Sequence, residues 1–122
     1  DTAGTFIGSS YVYATARDFA RFGELYRNDG VTSSGRRILP EGWRDHAAQV
    51  VAHDENFDYG RHWWVWRDHP GSFACHGYEG QFTIVVPSRQ LVLVHLGKSP
   101  VEHREQLHAL LRELIVAVPV SG

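Results

Sequence analysis

The sequence predicts an α+β fold, in which helices pack on an antiparallel sheet of three to four strands. Two predicted helices come first, strand-like runs follow, and a long amphipathic stretch comes last. Helices and strands grouped in this way are typical of α+β proteins. The 122 residues, 43% of them hydrophobic, suffice for one core. We divide this single unit into a helical part (1–58), antiparallel strands (59–98) and a C-terminal helix (99–119).

The first helix is predicted to begin after an irregular stretch, 1–14. Thr15 is a suitable N-cap, and Asp18 stands at the capping-box position. The apolar positions that follow fall on one helical face: Phe19, Phe22, Gly23 and Tyr26. Gly30 can adopt the left-handed conformation that often ends a helix.

A second helix is predicted from Pro40, which suits a first helical turn, to about Gln49. Four strands are predicted from aromatic and β-branched content and from the turns between them: Tyr59–Trp66, Ser72–Tyr78, Gln81–Val86 and Leu91–Leu96. The last two are apolar on both faces, so we expect both faces of the sheet to be covered. Ser99–Glu102 reads as a second capping box, and Pro119 ends the helix that follows it.

Composition excludes several kinds of protein. A formal net charge of −2 argues against a nucleic-acid surface, which requires a basic stripe. No apolar run approaches the roughly 20 residues that span a bilayer. One cysteine, Cys75, excludes an internal disulfide. Because methionine is absent even from position 1, we expect the chain to be processed or to be a piece of a longer protein, beginning within a loop at Asp1.

The eight histidines do not form a metal-binding pattern. His62, His69 and His76 recur every seven residues, but zinc sites usually contain a short-spaced ligand pair. His103 and His108 are five residues apart on a helix and face different directions. We therefore predict no metal and no other cofactor.

The chain shows no credible nucleophile. Ser9 and Ser10 lack a G-x-S-x-G elbow, and no serine is followed by lysine three positions later. Cys75 precedes His76, but adjacent strand residues point to opposite faces, so we interpret Cys75 as a small buried hydrophobe. Tyr26-Arg27-Asn28 matches Y-x-N formally, yet it ends an amphipathic helix and is interpreted as core and C-cap.

The stretch Phe73–Phe82 is the strongest candidate for a functional site. It brings His76 to the end of a strand, directly before Gly77, with Gly80 three residues later. Glycine within a strand pattern often marks close approach of a ligand or another backbone. A histidine beside such an opening is a candidate acid, base or polar anchor. The alternative is a tight β-turn with a hydrogen-bonded histidine.

Several segments together resemble the serine β-lactamase-related hydrolases. This family includes class C β-lactamases, D-alanyl-D-alanine peptidases, family VIII esterases and 6-aminohexanoate-dimer hydrolases. The segments are Ser10–Gly23, Asp29–Gly30, Arg37–Trp43, His76–Phe82 and Val86–Val92. They cover nearly all of the chain in the family's order, so the resemblance implies the C-terminal part of a β-lactamase/penicillin-binding-protein-like fold.

The resemblance also implies roles for the turn. His76 matches the Lys or His of the family's third motif, K-T-G or H-x-G, and would be catalytic. Gly77, Tyr78 and Glu79 would form the substrate-binding and oxyanion wall, with the N–H of Tyr78 or of Glu79 in the oxyanion hole. Histidine in place of lysine favours an esterase, amidase or peptidase over a true β-lactamase.

The family's S-x-x-K and its true Y-x-N motif are not found in this sequence and are expected before Asp1, so the chain alone should be inactive. The family's strand order would leave Leu91–Leu96 as an unpaired edge, which predicts a homodimer or a strand swap. The expected ligand is a small amide or ester, bound with the aromatic segment Tyr59–Trp66 nearby. The alternative is a non-catalytic module of the same fold that binds a ligand or a partner. Substrate and compartment stay open.

Overall fold

The computed structural model describes residues 2–5, 8 and 11–120. Within them the helices are Ala16–Arg27 (α1), Trp43–Ala48 (α2) and Arg104–Ala117 (α3). The strands are Ala52–His53 (β1), Asp58–Tyr59 (β2), Trp64–Val65 (β3), Phe73–His76 (β4), Phe82–Val86 (β5) and Leu91–His95 (β6). Two 3-10 turns, Pro87–Arg89 and Val101–His103, precede β6 and α3. No helix in these ranges is long and apolar enough to cross a membrane.

The strands form one antiparallel sheet in which each strand pairs with the next along the chain, in the order β1 to β6. The α+β class is confirmed, although the sheet has six strands among the described residues where three to four were predicted. β1, β2 and β3 are only two residues long, and β1 lies within the part expected to be helical. Such short strands carry no periodicity that a sequence could reveal.

The prediction of one continuous strand at Tyr59–Trp66 is wrong. A turn separates β2 from β3: the Gly60 N–H donates to the Trp63 carbonyl at 2.7 Å, and His62 adopts a left-handed φ of 68°. The chain passes close to α2 here, because a Cβ at Gly60 would lie 2.4 Å from the Ala47 carbonyl oxygen. The aromatic side chains around the turn therefore divide between the two faces of the sheet.

α1 begins as predicted. The Thr15 hydroxyl accepts from the Asp18 N–H at 3.1 Å and donates to the Asp18 carboxylate at 2.7 Å, a hydrogen bond that, with Arg21, lowers the pKa of Asp18. At the other end the Gly30 N–H donates to the Leu25 carbonyl at 2.7 Å, and Gly30 has the expected positive φ of 83°. This is the bond of a Schellman C-terminus.

The other two helix starts differ from prediction. α2 begins at Trp43 rather than in a turn starting at Pro40. α3 begins at Arg104, after the 3-10 turn, and no side-chain hydrogen bond caps the turn or the helix. The capping box predicted at Ser99–Glu102 therefore does not form. The Ser99 N–H is bonded elsewhere, to the Glu79 carbonyl at 2.8 Å, which draws this segment toward the β4–β5 turn.

Both faces of the sheet are covered, as expected. One face carries α3 and a core that includes Phe57, Trp66, Ala74, Phe82, Ile84, Val86, Leu107, Leu111 and Ile115. The opposite face packs on α1 and α2 through Ala47, Trp63, Phe73 and Val85, with Tyr26, Cys75 and Val92 partly buried beside them. Strands buried on both sides explain why β5 reads as continuously apolar.

β6 is the last strand of the sheet in the described part of the chain, with β5 as its neighbour. The Gln81 carbonyl accepts from the Gly77 N–H, so the backbone groups of Gln81 face β4. Backbone groups of successive residues point to alternate sides of a strand, and those of Ile84, three positions later, therefore face β6. Ile84 is opposite Leu93, and the backbone groups of Val92 and Val94 consequently point away from the sheet. The edge expected at Leu91–Leu96 is thus present, while its pairing with a second copy stays a prediction.

Candidate functional site

The β4–β5 connection is a tight turn that requires both of its glycines. The Gly77 N–H donates to the Gln81 carbonyl at 2.7 Å, and the Gly80 N–H donates to the Gly77 carbonyl at 3.3 Å. A Cβ at Gly77 would lie 2.7 Å from the Gln81 Cβ, and Gly80 has a φ of 89°. The turn alternative raised by the sequence therefore describes the backbone correctly.

The segment after β6 holds this turn in place. The Gln81 side chain accepts from the Glu79 N–H at 3.2 Å and donates to the Gly97 carbonyl at 3.2 Å. The Glu79 carbonyl accepts from the Ser99 N–H, and the Glu79 carboxylate lies 3.0 Å from the Lys98 ammonium. Gln81 was not singled out from the sequence, since a polar residue before a strand carries no distinctive signal. The turn is rigid because bonds reach it from both sides.

Backbone N–H groups in and beside the turn remain unpaired among the described residues. The Glu79 N–H is taken by Gln81, whereas the Tyr78 N–H has no acceptor among the described residues. The His76 N–H points toward the side of β3. Pairing between β3 and β4 ends before His76, at Trp64 opposite Ala74. The His76 N–H therefore also lacks an acceptor within residues 2–5, 8 and 11–120. The sequence left open whether Tyr78 or Glu79 would supply the N–H of an oxyanion hole. Of these two N–H groups, that of Tyr78 is unpaired among the described residues.

The side chains of the candidate wall differ widely in exposure. Tyr78 is 86% exposed, and its carbonyl accepts from the Arg104 guanidinium of α3 at 3.3 Å. His76 is half-buried at the end of β4, on the face that carries α3. The His95 ring nitrogen Nδ1 lies 2.9 Å from the Gly80 carbonyl oxygen and ties β6 to the turn.

His76 lies in an aromatic cage. The Trp66 indole N–H donates to His76 Nε2 at 2.9 Å. Trp64 stacks on the imidazole with ring centroids 5.4 Å apart, and Phe57 and Phe82 meet it edge-on, each at 4.8 Å. The expectation that the segment Tyr59–Trp66 lies near the site is met by Trp64 and Trp66, while Trp63 belongs to the opposite face.

Burial and two basic neighbours keep His76 neutral. Burial contributes most, followed by His108 and Arg104 of α3, and together they lower the pKa of His76 to about 3. A neutral imidazole that accepts at Nε2 carries its proton on Nδ1. His76 therefore offers one N–H donor and lacks the positive charge that a lysine would bring to this position.

The alternative candidates from the sequence are accounted for by packing. Cys75 faces the α1 side of the sheet, away from His76, and burial raises the pKa of its thiol to about 11, so it is not a thiolate nucleophile. Tyr26 packs against Trp63 with ring centroids 4.7 Å apart, and Asn28 is the C-cap of α1. Ser9 and Ser10 lie outside the described residues.

The histidines at intervals of seven lie in different segments. His62 is in the β2–β3 turn, His69 is in the β3–β4 turn, and His76 ends β4. In the part of the chain that the structure describes, no three His, Cys, Asp or Glu side chains come together as a group that could hold a metal ion.

A groove elsewhere on the molecule was not recognised from the sequence. A groove of about 500 Å³ runs between α2 and the β2–β3 turn, lined by Tyr26, Trp43, His46, Ala47, Val51, Tyr59, Gly60, Arg61 and His62. Trp43 and His46 stack along one wall with centroids 4.9 Å apart. The aromatic density of the segment was visible in the sequence, but the groove exists only because α2 packs beside the turn.

Comparison with known proteins supports the resemblance. No family model matches the chain. It is 27% identical over 129 residues to the 6-aminohexanoate-dimer hydrolase of Paenarthrobacter ureafaciens, an alignment that covers 97% of this chain and 33% of the relative. A solved structure from Bacillus anthracis, named as a 6-aminohexanoate-dimer hydrolase, superposes with a TM-score of 0.67 at 29% identity, over 84% of this chain and 28% of that one.

The chain thus spans about a third of the length of the curated relative that it matches. Relatedness in sequence and in three-dimensional structure points to the same group of proteins. Both comparisons support the resemblance to the β-lactamase-related hydrolases, and the sheet and helices of this chain are similar to the C-terminal portion of the β-lactamase-like fold.

Proposed function

We propose that this chain forms one wall of the active site of a serine hydrolase that cleaves an amide or an ester. The observation that carries the proposal is the β4–β5 turn, where the neutral His76 and the Tyr78 N–H, which is unpaired among the described residues, lie two positions apart on a backbone braced by Gln81. A rigid donor next to a neutral polar side chain suits the binding of a carbonyl group.

Each residue of the wall has a role in this proposal. The Tyr78 N–H donates to the oxygen that becomes negative as the carbonyl is attacked. His76 donates from Nδ1 to a substrate carbonyl or carboxylate. Gly77 permits the tight turn that places these donors, since any side chain there would collide with Gln81. Removal of one preorganised donor of this kind typically lowers kcat by roughly 10²–10³-fold.

The nucleophile is proposed to come from outside these 122 residues, in an S-x-x-K motif, with the tyrosine of a Y-x-N motif as a second base or acid. The serine oxygen attacks the carbonyl carbon, its proton passes to the base, and the amine or alcohol leaves with that proton. Water then releases the acid from the acyl-enzyme. The chain alone is therefore expected to be inactive, apart from weak binding and oxyanion contacts.

Intact-mass analysis after treatment with a fluorophosphonate, which phosphonylates activated serines, tests the proposal. No adduct on this chain, together with one adduct on the longer product of the same reading frame, is the expected result. A stoichiometric adduct on residues 1–122 would overturn it, because an activated serine would then lie within them.

The second candidate is a non-catalytic binding module of the same fold, favoured by the aromatic groove between α2 and the β2–β3 turn. This function predicts that the longer product also fails to react with fluorophosphonate. It further predicts that a reading frame upstream of Asp1 contains no S-x-x-K followed by Y-x-N.

A further inference from the structure

Trp66 and His76 form a partly buried polar contact at the candidate site. Trp66 is 1% exposed, and its indole N–H, a donor only, finds its acceptor in His76 Nε2 at 2.9 Å. Loss of that acceptor would leave a buried N–H unpaired, at the desolvation cost of that group. The indole therefore selects the histidine tautomer that leaves Nε2 free of a proton.

The surroundings of the imidazole favour the same state. Phe57, Trp64 and Phe82 enclose the ring without offering a carboxylate to an imidazolium. The charged and titratable groups on this side come from α3: His108, Arg104 and Arg112, with Glu105 beside His108. The Arg112 guanidinium stands 5.4 Å from the Trp66 ring centre and pairs with Asp68. Positive neighbours and an apolar cage both oppose protonation of His76.

The remaining ring nitrogen, Nδ1, has no hydrogen-bond partner among the described residues. In the same residues, Arg89 Nε is the single side-chain nitrogen or oxygen that is both fully buried and unpaired, so His76 Nδ1 is not fully buried. A donor without a partner in the described residues, beside the unpaired N–H groups of the turn, is available to a ligand.

We infer that Trp66 is a positioning residue that holds His76 as the neutral Nδ1–H tautomer, so that His76 presents a hydrogen-bond donor and no positive charge to the substrate. The inference rests on the proposed function for the identity of the ligand, a substrate carbonyl or carboxylate. The tautomer and its cause concern this chain alone.

The tautomer is measured by 15N NMR of the full-length protein that carries this chain, labelled selectively on histidine. The His76→Asn variant assigns the His76 signals by their loss. At pH 7 we expect a protonated Nδ1 and an unprotonated, hydrogen-bonded Nε2. An Nε2–H tautomer or an imidazolium at this pH would overturn the inference without bearing on whether the protein is a serine hydrolase.

Two tryptophan variants test the cause. Trp66→Phe removes the indole donor, so the Nε2–H tautomer should become populated. Trp64→Phe is the matched control, because Trp64 stacks on the same ring and donates no hydrogen bond to it. An unchanged tautomer in Trp66→Phe, or an equal change in both variants, would show that Trp66 does not set the tautomer.

Two histidine variants separate the donor from the packing. Asparagine places an amide N–H near the position of Nδ1, and glutamine places a carbonyl oxygen near Nε2, where it can still accept from Trp66. We expect His76→Gln to be the more stable variant and yet to lose about 10²-fold in kcat, while His76→Asn retains more activity. Activity that follows stability instead would assign His76 a purely structural role. Absence of hydrolysis and of fluorophosphonate labelling in the wild type would refute the proposed function, while the NMR result would still decide the tautomer.

Discussion

Gly23 of α1 lies directly on Val92 of β6. A Cβ at Gly23 would stand 2.6 Å from Val92 Cγ1 and 3.3 Å from Thr83 Cγ2, distances at which something must move. The helix approaches the sheet this closely because position 23 has no side chain. Glycine within a helix is less favourable than alanine by about 0.5–1 kcal/mol, and here close packing of α1 on β5 and β6 offsets that cost.

Gly23→Ala is therefore expected to destabilise the protein, although alanine is the better helix former. Overpacking costs about 1–3 kcal/mol, against a gain of about 1 kcal/mol in helix propensity. Urea unfolding measures the net change, and combination with Val92→Ala should recover part of it in a double-mutant cycle. A Gly23→Ala protein more stable than the wild type would show that α1 does not lie this close to β6.

Gly80→Ala should destabilise the protein more than Gly35→Ala. Both glycines have a positive φ, 89° and 83°, so alanine strains the backbone similarly at each. A Cβ at Gly80 would also meet Leu107 Cδ2 at 2.9 Å, whereas nothing lies within 4 Å at Gly35. Because Leu107 of α3 is buried in the core, we expect a further loss of about 1 kcal/mol or more at Gly80, measured by thermal or urea unfolding. Equal losses at both positions would contradict the packing of the turn on α3.

Stability should fall as pH falls from about 6.5 toward 3. The pKa of His76 is about 3 in the folded protein and near 6.5 when the chain is unfolded, so in this window the unfolded state binds the additional proton. The contribution of neutral His76 to the free energy of unfolding is fully present above pH 6.5. Below that pH it is lost by at most about 1.4 kcal/mol per pH unit. Urea unfolding at pH 7.5, 6 and 5 should show this slope in the wild type and a reduced slope in His76→Gln. Identical slopes would mean that His76 titrates normally.

The open edge of β6 predicts association of this chain at micromolar concentration. Proline at position 94 removes an N–H that points away from the sheet, so Val94→Pro should give a folded monomer. Proline at position 93 removes an N–H directed toward β5, so the control Leu93→Pro should unfold the strand instead. Light scattering after size exclusion measures both, and a clean wild-type monomer would count against edge pairing.

Segments with clear periodicity were predictable from the sequence. The apolar spacing of α1, its cap at Thr15 and the continuous apolar runs of β5 and β6 all appear in the fold as expected. These features depend on neighbours within one helical turn or on burial of both faces, and both leave a pattern in the order of residues. The same holds for Cys75 and His76, which point to opposite faces because they are adjacent in a strand.

Two-residue strands and the starts of α2 and α3 were not predictable in this way. β1, β2 and β3 exist through hydrogen bonds to one another, and Gly60 turns where it does because α2 blocks any side chain there. Ser99 resembles a cap in sequence, but its backbone bonds to Glu79, a partner 20 positions away along the chain. Partners distant in sequence decide these elements, and local propensity has no information about them.

The sequence by itself determined the α+β class, the position of the candidate turn and the identities of His76, Gly77 and Gly80 within it. Only the tertiary structure decided that Trp66 occupies His76 Nε2, that the imidazole is neutral, and that the free N–H belongs to Tyr78 rather than to Glu79. The physical reason is that protonation and hydrogen-bond availability depend on what surrounds a group in space. In this protein those surroundings come from β3, from α3 and from the side chain of Gln81.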